Sequence, residues 1–221
     1  HGNYGVSSNC GSSNVLEYLG VKFSNDENHL KKCLDQSNIC YLHAPIFHPS
    51  MKNVAPIRKD LGFKTFFNLL GPLVNPSSPK NQITGVYNLE IARLYGYIFK
   101  NTNKNFSIVY SLDGYDEISL TGSFKLINNF SEIISDCNYF KLQKTMSKDI
   151  LGGKSIEDSA NIFKDILSGK GTNNQVNVVL ANSSLAIQTI TNKDIDECIE
   201  IAKESIESGK AYCSLKKLIE A

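Results

Sequence analysis

The segment QITGVYNLEIARLYGYIFKNTNKNFSIVY, residues 82–110, decides the fold of this chain. A short run at 82–86 is typical of a β-strand, whereas the apolar residues of 88–102 recur at the spacing of an amphipathic helix. Residues 106–110 form a second β-branched and aromatic run, so the order is strand, helix, strand. Two strands joined by a helix favour a parallel sheet with helices on its faces. This segment therefore predicts an α/β fold.

Strong structure breakers lie just before this segment. Residues 71–79, GPLVNPSSP, contain three prolines, which exclude a regular helix or a central strand and predict a stiff linker or hinge. Upstream, the pattern predicts a short buried strand at 39–43 and an exit from regular structure at 44–45. The other upstream predictions are helices over 12–19, 24–37 and 48–61, and a further helix beginning at 65.

Strands and then helices are expected after residue 110. Residues 119–142 predict two or three more strands, with turns near 128–129 and 137–138. The apolar residues beyond this point lie at helical spacing and show no chemistry-bearing cluster, so these helices are interpreted as scaffold. They are predicted over 155–167, 175–190 and 194–208.

Composition excludes several classes of protein. The 221 residues are 41% hydrophobic and 20% charged with a net charge of +1, which gives no bulk attraction to nucleic acid or to an anionic membrane. No apolar run is long enough to cross a bilayer and no signal-peptide pattern is present, so a cytoplasmic protein is expected. The six cysteines show no metal-ligand spacing and are expected to be free thiols. Because the chain begins with His1 inside a functional-looking loop, we expect that an upstream segment has been removed.

The opening run HGNYGVSS, residues 1–8, is a candidate anion-binding loop. It is followed by Gly11, Ser12 and Ser13 and then by an apolar helical pattern. Glycines let the backbone approach an anion, and Ser or Asn side chains add donors to the unsatisfied N–H groups at a helix start. The alternative is an ordinary turn with an N-cap, which uses the same residue types.

Two further features suggest binding chemistry. Asp116 and Glu117 lie in the loop that follows the strand at 106–110, where ligands collect in open α/β sheets, and adjacent carboxylates suit Mg²⁺. Arg58 is one of only two arginines, and a guanidinium can hold a carboxylate through two parallel hydrogen bonds. For the acid pair, the alternative is a solvated turn, which also includes Asp113. For Arg58, the alternative is an exposed surface charge, which is how we interpret Arg93.

Taken together, three stretches resemble the anthranilate phosphoribosyltransferase family: HGNYGVSSNCGSSNVLEYLG, APIFHPSMKNVAPIRKDLGFKTFFNLLGPLVNP and GYDEIS. The resemblance covers nearly the whole chain. It implies an α/β fold with a mixed, largely parallel sheet flanked by helices, of the nucleoside phosphorylase and class III phosphoribosyltransferase type. It also implies part of a small helical domain: 1–43 would start the large α/β domain, 44–70 would belong to the small domain, 71–81 would be the hinge, and 82–221 would complete the large domain.

The resemblance also implies an activity, namely transfer of the phosphoribosyl group from phosphoribosyl diphosphate to the amine of anthranilate in tryptophan biosynthesis. No covalent nucleophile is expected. Asn3 would contact both substrates, Arg58 and His48 would bind anthranilate, and Asp116 and Glu117 would hold Mg²⁺. The residues implied to bind phosphoribosyl diphosphate are His1, Gly2, Asn3, Tyr4, Gly5, Val6, Ser7, Ser8 and Ser12. Such enzymes form homodimers, and whether a glutamine amidotransferase partner is attached stays open.

Several positions depart from the family pattern. The Gly-rich diphosphate loop and the lysine expected before His1 are not in this sequence, so the fragment alone is expected to be inactive. Tyr4 and Gly5 replace the usual basic and small pair, which affects phosphate affinity. Two alternatives stay open: a pyrimidine nucleoside phosphorylase, which has no use for a carboxylate-binding Arg58, and a non-catalytic relative that binds a ligand through the same cleft.

Overall fold

A four-stranded mixed sheet forms the frame of the chain. The computed structural model describes residues 1–5, 10–49 and 67–221, with the backbone alone at 67 and 68. The sheet has the order β1-β2-β3-β4, in which β1 and β2 are parallel and the other two pairings are antiparallel. The strands are β1 (Asn81–Gly85), β2 (Asn105–Ser111), β3 (Phe124–Asn128) and β4 (Glu132–Ser135).

The predicted mixed α/β sheet is confirmed, but the prediction that it is largely parallel is wrong for the described residues. Only the β1–β2 pairing is parallel, because only these two strands are joined by a helix. The later strands follow one another through shorter connections without a crossover helix, which allow antiparallel pairing.

Nine α-helices lie in the described part of the chain, together with three 3₁₀ turns at Gly71–Leu73, Cys137–Phe140 and Ser147–Ile150. The α-helices are α1 (Ser12–Tyr18), α2 (Glu27–Ser37), α3 (Ala44–Phe47), α4 (Phe67–Leu70), α5 (Leu89–Lys100), α6 (Ile156–Leu167), α7 (Asn173–Thr191), α8 (Ile195–Glu207) and α9 (Lys210–Glu220). Within the described ranges, no helix combines the length and apolar composition needed to cross a membrane.

Helices cover both faces of β2, which is why its interior residues are almost all apolar. Asn88 caps α5 by accepting a hydrogen bond from the Ile91 N–H at 2.8 Å. On one face, Phe99 of α5 packs on Phe106 with ring centroids 5.5 Å apart. On the other face, the Ser107 and Thr189 hydroxyls lie 2.7 Å apart and join β2 to α7. The alternation of β2 therefore places two helices on opposite sides of the sheet.

Contacts divide the chain into two compact units. The first consists of His1–Ser78, Gly152–Ser168 and Gly209–Ala221, where α1 packs on α6 and α9 packs on α2. The second consists of Pro79–Leu151 and Gly169–Ser208 and contains the sheet with α5, α7 and α8. The domain boundaries that the resemblance implies, at 43, 70 and 81, stay a prediction.

Three local predictions need comment. Residues 39–43 do not form a strand; Ile39 is 48% exposed, and the segment makes a single parallel bridge between Gly2 and His43. Residues 44–45 do not leave regular structure but open α3, because proline is tolerated in the first helical turn. The predicted helix over 48–61 lies mostly outside the described residues, and α9 was not predicted.

Candidate functional site

The opening loop is tied to the segment before α3. The Gly2 N–H donates to the Leu42 carbonyl at 3.1 Å, and the Gly2 carbonyl accepts from the Ala44 N–H at 2.8 Å. These two bonds form the parallel bridge between Gly2 and His43. The backbone at Gly2 is therefore held in place by protein contacts on both of its polar groups.

Next to this bridge, three hydroxyl groups and one imidazole ring form a hydrogen-bonded network that we name the Tyr41 network. Its members are Ser12, Ser13, Tyr41 and His43. The Tyr41 hydroxyl lies 2.8 Å from Ser12 Oγ and 2.9 Å from Ser13 Oγ, and Ser13 Oγ lies 2.9 Å from His43 Nδ1. Ser13 is fully buried and His43 is 4% exposed. Burial lowers the pKa of His43, and the Glu17 carboxylate partly opposes this shift. The network fixes the position of the Ser12 hydroxyl beside the loop.

Close packing explains why glycine stands at position 2. A Cβ atom there would lie 2.1 Å from the Tyr41 hydroxyl oxygen and 2.9 Å from Ser12 Oγ. No side chain heavier than hydrogen fits while Tyr41 keeps its bonds to the two serines. Gly2 and the Tyr41 network therefore form one packed unit.

Asparagine side chains already occupy several amides of the loop. The Tyr4 N–H donates to Asn3 Oδ1 at 2.8 Å, and the N–H groups of Gly5 and Gly11 donate to Asn14 Oδ1 at 3.1 and 3.0 Å. The interpretation of the loop as an array of unsatisfied backbone donors therefore does not hold at these three amides. Any anion here would have to displace these asparagine contacts or use other groups.

Tyr4 stands where the family pattern has a basic residue, and its side chain contacts Glu17 and His43. Its hydroxyl donates to Glu17 Oε1 at 3.1 Å, and its ring meets the His43 ring edge-on with centroids 4.7 Å apart. Desolvation and the Glu17 contact raise the pKa of Tyr4. A groove of about 670 Å³ opens beside these rings. It is lined by Tyr4, Glu17, Val21, Lys22, Phe23, His43, Pro45, Ile46 and Pro49.

The residues predicted to bind anthranilate are only partly described. His48 packs edge-on against His1 with ring centroids 5.3 Å apart, and its Nε2 is buried without a hydrogen-bond partner among the described residues. Arg58 lies outside the described residues, as do Val6, Ser7 and Ser8 of the opening loop. The structure therefore brings His1 and His48 together and leaves the position of Arg58 open.

The acid pair Asp116–Glu117 belongs to the other compact unit, in the loop that joins β2 to β3. Three side-chain hydrogen bonds hold its backbone at Glu117 and Ile118. Ser111 Oγ donates to the Glu117 carbonyl at 2.6 Å, and the side chain of Asn182 both donates to and accepts from the backbone of Ile118. A Cβ atom on Gly85 would lie 1.7 Å from the Asp116 carbonyl oxygen, so the end of β1 also touches the loop.

The carboxylates themselves carry uncompensated charge. Both side chains are exposed, and no described lysine or arginine forms an ion pair with either. Desolvation and the neighbouring Asp116 carboxylate raise the pKa of Glu117. Asp113 differs, because its carboxylate accepts a hydrogen bond from the Thr121 hydroxyl. Among the described residues, no third histidine, cysteine or carboxylate joins the pair to form a metal-holding cluster.

Sequence reasoning missed the residues that hold these segments. Asn182 is 64 positions from Ile118 and lies on a helix interpreted as scaffold, and Tyr41 lies in a segment interpreted as a buried strand. The only signal for Asn182 was a polar amide one helical turn from Val178 and from Leu185, which both belong to the apolar face of α7. Such a signal marks a satisfied polar group but does not name its partner.

Comparisons with known proteins assign the family. Residues 1–212 match the family model described as glycosyl transferase family, a/b domain. The anthranilate phosphoribosyltransferase of Christiangramia forsetii is 59% identical over 218 residues, which cover 99% of this chain and 66% of that protein. The enzyme of the same name from Flavobacterium johnsoniae is 58% identical over 220 residues, which cover 100% of this chain and 67% of that protein. The chain thus spans about two thirds of the length of these relatives.

Solved structures agree with this assignment. The anthranilate phosphoribosyltransferase of Saccharomyces cerevisiae, in complex with PRPP and Mg, matches with a TM-score of 0.91 and 30% identity over 100% of this chain and 63% of that one. The enzyme of Thermus thermophilus matches with a TM-score of 0.92 and 26% identity over 100% of this chain and 67% of that one. The resemblance inferred from the three sequence stretches is confirmed. The chain belongs to the glycosyl transferase family and, within it, to the anthranilate phosphoribosyltransferases.

Proposed function

We propose that the protein transfers the phosphoribosyl group of phosphoribosyl diphosphate (PRPP) to the amine of anthranilate, giving phosphoribosylanthranilate and diphosphate. The observation that carries this proposal is the match along the entire chain to the yeast enzyme in complex with PRPP and Mg, at a TM-score of 0.91. Relatives that bear this enzyme's name are 58% and 59% identical, which supports the same chemistry. The reaction belongs to tryptophan biosynthesis.

The opening loop is proposed to bind PRPP. Residues 1–8 and Ser12 would contact the substrate, and Asn3 would contact both substrates. The Tyr41 network supports this role, because it holds the Ser12 hydroxyl through a 2.8 Å contact before any ligand arrives. A donor that is already oriented loses little entropy on binding. The amides of Tyr4, Gly5 and Gly11 are bonded to asparagine oxygens, so side chains would supply much of the recognition.

Anthranilate carries a carboxylate and a weakly basic aromatic amine, and its binding is proposed to use Arg58 and His48. Arg58 would hold the carboxylate through paired charge-assisted bonds. His48 supports a ligand-facing role, because its Nε2 is buried and has no hydrogen-bond partner among the described residues, and an unpartnered buried polar atom is unfavourable. Together these residues would orient the amine toward the ribose carbon.

Asp116 and Glu117 are proposed to hold Mg²⁺. Two exposed carboxylates that form no ion pair with a described lysine or arginine fit this ion, which takes oxygen ligands and usually keeps several waters or substrate phosphates around it. When bound, Mg²⁺ would neutralise charge on the departing diphosphate.

The protein's own residues would act by positioning and by excluding water. The aromatic amine is a weak nucleophile, so the reaction depends on loosening the bond between the ribose and the departing diphosphate. Such a reaction requires no covalent nucleophile from the protein. The Ser12 hydroxyl, held by the Tyr41 network, would orient the substrate.

Residues 71–81 are proposed as a hinge between a small domain formed in part by 44–70 and a large α/β domain formed by 1–43 and 82–221. A homodimer and a cytoplasmic location are proposed from family membership.

The test is loss of anthranilate fluorescence in the full-length protein, followed with and without PRPP and Mg²⁺. Arg58→Ala is expected to raise the KM for anthranilate on the order of a hundredfold, because a charged two-point bond is lost, while the KM for PRPP changes little. Arg93→Ala is the matched control, since Arg93 is the other arginine and is exposed on α5. Equal losses for both substrates would contradict the carboxylate role.

The acid pair is tested in the same assay. Asp116→Asn with Glu117→Gln is expected to lower kcat by about a hundredfold and to shift the Mg²⁺ requirement. The control is Asp196→Asn with Glu197→Gln, an adjacent acid pair on α8 whose members pair with Lys141 and Lys193. An unchanged Mg²⁺ titration in the Asp116 and Glu117 variant would rule out the metal role.

A further inference from the structure

The side chain of Asn182 joins α7 to the backbone immediately after the acid pair. The Ile118 N–H donates to Asn182 Oδ1 at 2.9 Å, and Asn182 Nδ2 donates to the Ile118 carbonyl at 2.8 Å. Nδ2 also donates to the Val178 carbonyl, one turn earlier on the same helix, at 2.9 Å. Asn182 thus uses both ends of its amide on one residue of the loop, and a third contact fixes the rotation of its side chain.

These contacts satisfy groups that no water can easily reach. Ile118 is 1% exposed, so its N–H and carbonyl would lose their partners if the amide were removed. A backbone N–H or carbonyl that is buried without a hydrogen-bond partner destabilises the conformation in which it is buried. The loop would therefore move until the Ile118 backbone found other partners, and Glu117, the preceding residue, would move with it.

The other contacts of the loop do not replace Asn182. Ser111 bonds the backbone of Tyr115, Glu117 and Ser119, and the Thr145 N–H donates to the Leu120 carbonyl at 3.0 Å, but none of these bonds reaches the Ile118 backbone. A Cβ atom on Gly85 would lie 1.7 Å from the Asp116 carbonyl oxygen, so β1 meets the loop there by close packing. Leu120 adopts a left-handed backbone conformation with φ of 59°, which is unfavourable for a residue other than glycine. A loop that carries this strain needs firm anchors on both sides, and Asn182 supplies the anchor on the side of Ile118.

We propose that Asn182 is a positioning residue for the Asp116–Glu117 pair, holding the two carboxylates in the orientation in which they bind a divalent cation. The proposal rests on the proposed function, since it takes the acid pair as the Mg²⁺ site. An amide suits the task because it donates and accepts in one plane, whereas a carboxylate could only accept and would face the Ile118 carbonyl with negative charge. Unlike a carboxylate, the Asn182 amide places no third negative charge beside Asp116 and Glu117.

The experiment compares the wild-type protein with Asn182→Ala, Asn182→Asp and the control Asn174→Ala. Asn174 lies on the same helix and donates through Nδ2 to Asp149 Oδ2 at 3.1 Å, so its removal deletes a side-chain bond of α7 away from the acid loop. Two quantities are measured: the Mg²⁺ concentration that gives half-maximal rate, and the affinity for Mn²⁺ determined by electron paramagnetic resonance without substrate. Thermal unfolding by circular dichroism reports the fold.

Asn182→Ala is expected to raise the half-maximal Mg²⁺ concentration and to weaken Mn²⁺ binding, each by about tenfold, as is typical when a residue behind a metal ligand is lost. The KM for anthranilate should stay within about twofold of wild type, and Asn174→Ala should leave both metal readouts unchanged. If Asn182→Ala does not fold, Asn182→Asp carries the test: it keeps an acceptor for the Ile118 N–H, loses the donor half and sets a negative charge against the Ile118 carbonyl. Because an added negative charge alone would favour a cation, Mn²⁺ binding that weakens in this variant reports lost positioning.

The outcomes separate this proposal from the proposed function. Normal metal readouts in a folded Asn182 variant, together with impaired readouts in the Asp116→Asn and Glu117→Gln variant, would overturn the positioning role and leave the Mg²⁺ site intact. Normal metal readouts in the acid-pair variant itself would overturn the Mg²⁺ site and the positioning role with it. Equal tenfold losses in Asn182→Ala and Asn174→Ala would also overturn the proposal, since they would report a general weakening of α7.

Discussion

The substitution Gly2→Ala gives a sharp test of how the opening loop is held. The added Cβ would lie 2.1 Å from the Tyr41 hydroxyl oxygen, against an ordinary contact of 3.4–4 Å. Gly2 cannot easily withdraw, because its N–H and carbonyl are bonded to Leu42 and Ala44 at 3.1 and 2.8 Å. The Tyr41 ring must give way, and its hydroxyl must then leave the two serines that it contacts at 2.8 and 2.9 Å.

The magnitude follows from those two bonds. Each neutral hydrogen bond contributes roughly 0.5–1.5 kcal/mol to stability, so their loss is expected to lower the free energy of unfolding by about 1–3 kcal/mol. In a Tyr41→Phe background the serine bonds are already absent and the hydroxyl oxygen is gone. The same Gly2→Ala change should therefore have a smaller effect there, with a coupling energy of about 1–2 kcal/mol between the two sites.

The assay is urea unfolding followed by far-ultraviolet circular dichroism, since the chain has no tryptophan to report by fluorescence. Gly152→Ala is the control, because a Cβ atom there would meet nothing within 4 Å, and its effect should stay within about 0.5 kcal/mol. The reasoning fails if Gly2→Ala lowers stability no more than Gly152→Ala. It also fails if the effect of Gly2→Ala is the same with and without the Tyr41 hydroxyl.

Two further predictions concern pH and helix capping. Burial lowers the pKa of His43 below its ordinary value of 6.5, so the unfolded chain binds the proton more readily and stability is lost as the pH falls below that value. His43→Phe should remove this part of the loss; identical slopes of stability against pH in both proteins would refute it. Ser155 caps α6 by accepting from the Asp158 N–H at 3.0 Å, so Ser155→Ala should lower the free energy of unfolding by about 1 kcal/mol in the same urea assay. Ser168→Ala, which removes an exposed hydroxyl after that helix, should have a smaller effect, and equal losses would argue against the cap.

The elements that local patterns control were predicted well. The strand, helix and strand of 82–110 appear as β1, α5 and β2, because the periodicity and the Asn88 cap are properties of the segment itself. The predicted strand at 39–43 was wrong, because Gly2 is the only residue in the described part of the chain that bridges to it, and a pattern within one segment cannot reveal whether a partner strand exists. Helix α9 was missed although Leu215 and Leu218 lie at helical spacing and are buried.

The candidate site was predictable only at the level of residue type. Asp116 and Glu117 were recognisable as a hard acid pair after a strand, and their place in the β2–β3 loop agrees with that reasoning. The contacts that fix them were not recognisable, because Asn182 is remote in sequence and an amide on a helix has many common roles. The prediction that the backbone amides of the opening loop are free donors was wrong for Gly5 and Gly11 for a similar reason. The sequence does not show that the Asn14 side chain accepts hydrogen bonds from both amides.

The order of residues 116–120, DEISL, explains how this loop can hold repelling charges at all. Desolvation, and after it the neighbouring Asp116 carboxylate, raise the pKa of Glu117, so the charged form of Glu117 is disfavoured here. The left-handed Leu120 adds roughly 1–2 kcal/mol of strain. Ile118 and Leu120 are each 1% exposed and pack in the core beside α7, and burying such side chains contributes about 1.5–3 kcal/mol apiece. The two apolar residues thus hold the loop against the protein and leave the carboxylates at its surface. Among the described residues no ion pair offsets the repulsion between the two carboxylates, and a bound divalent cation would reduce it.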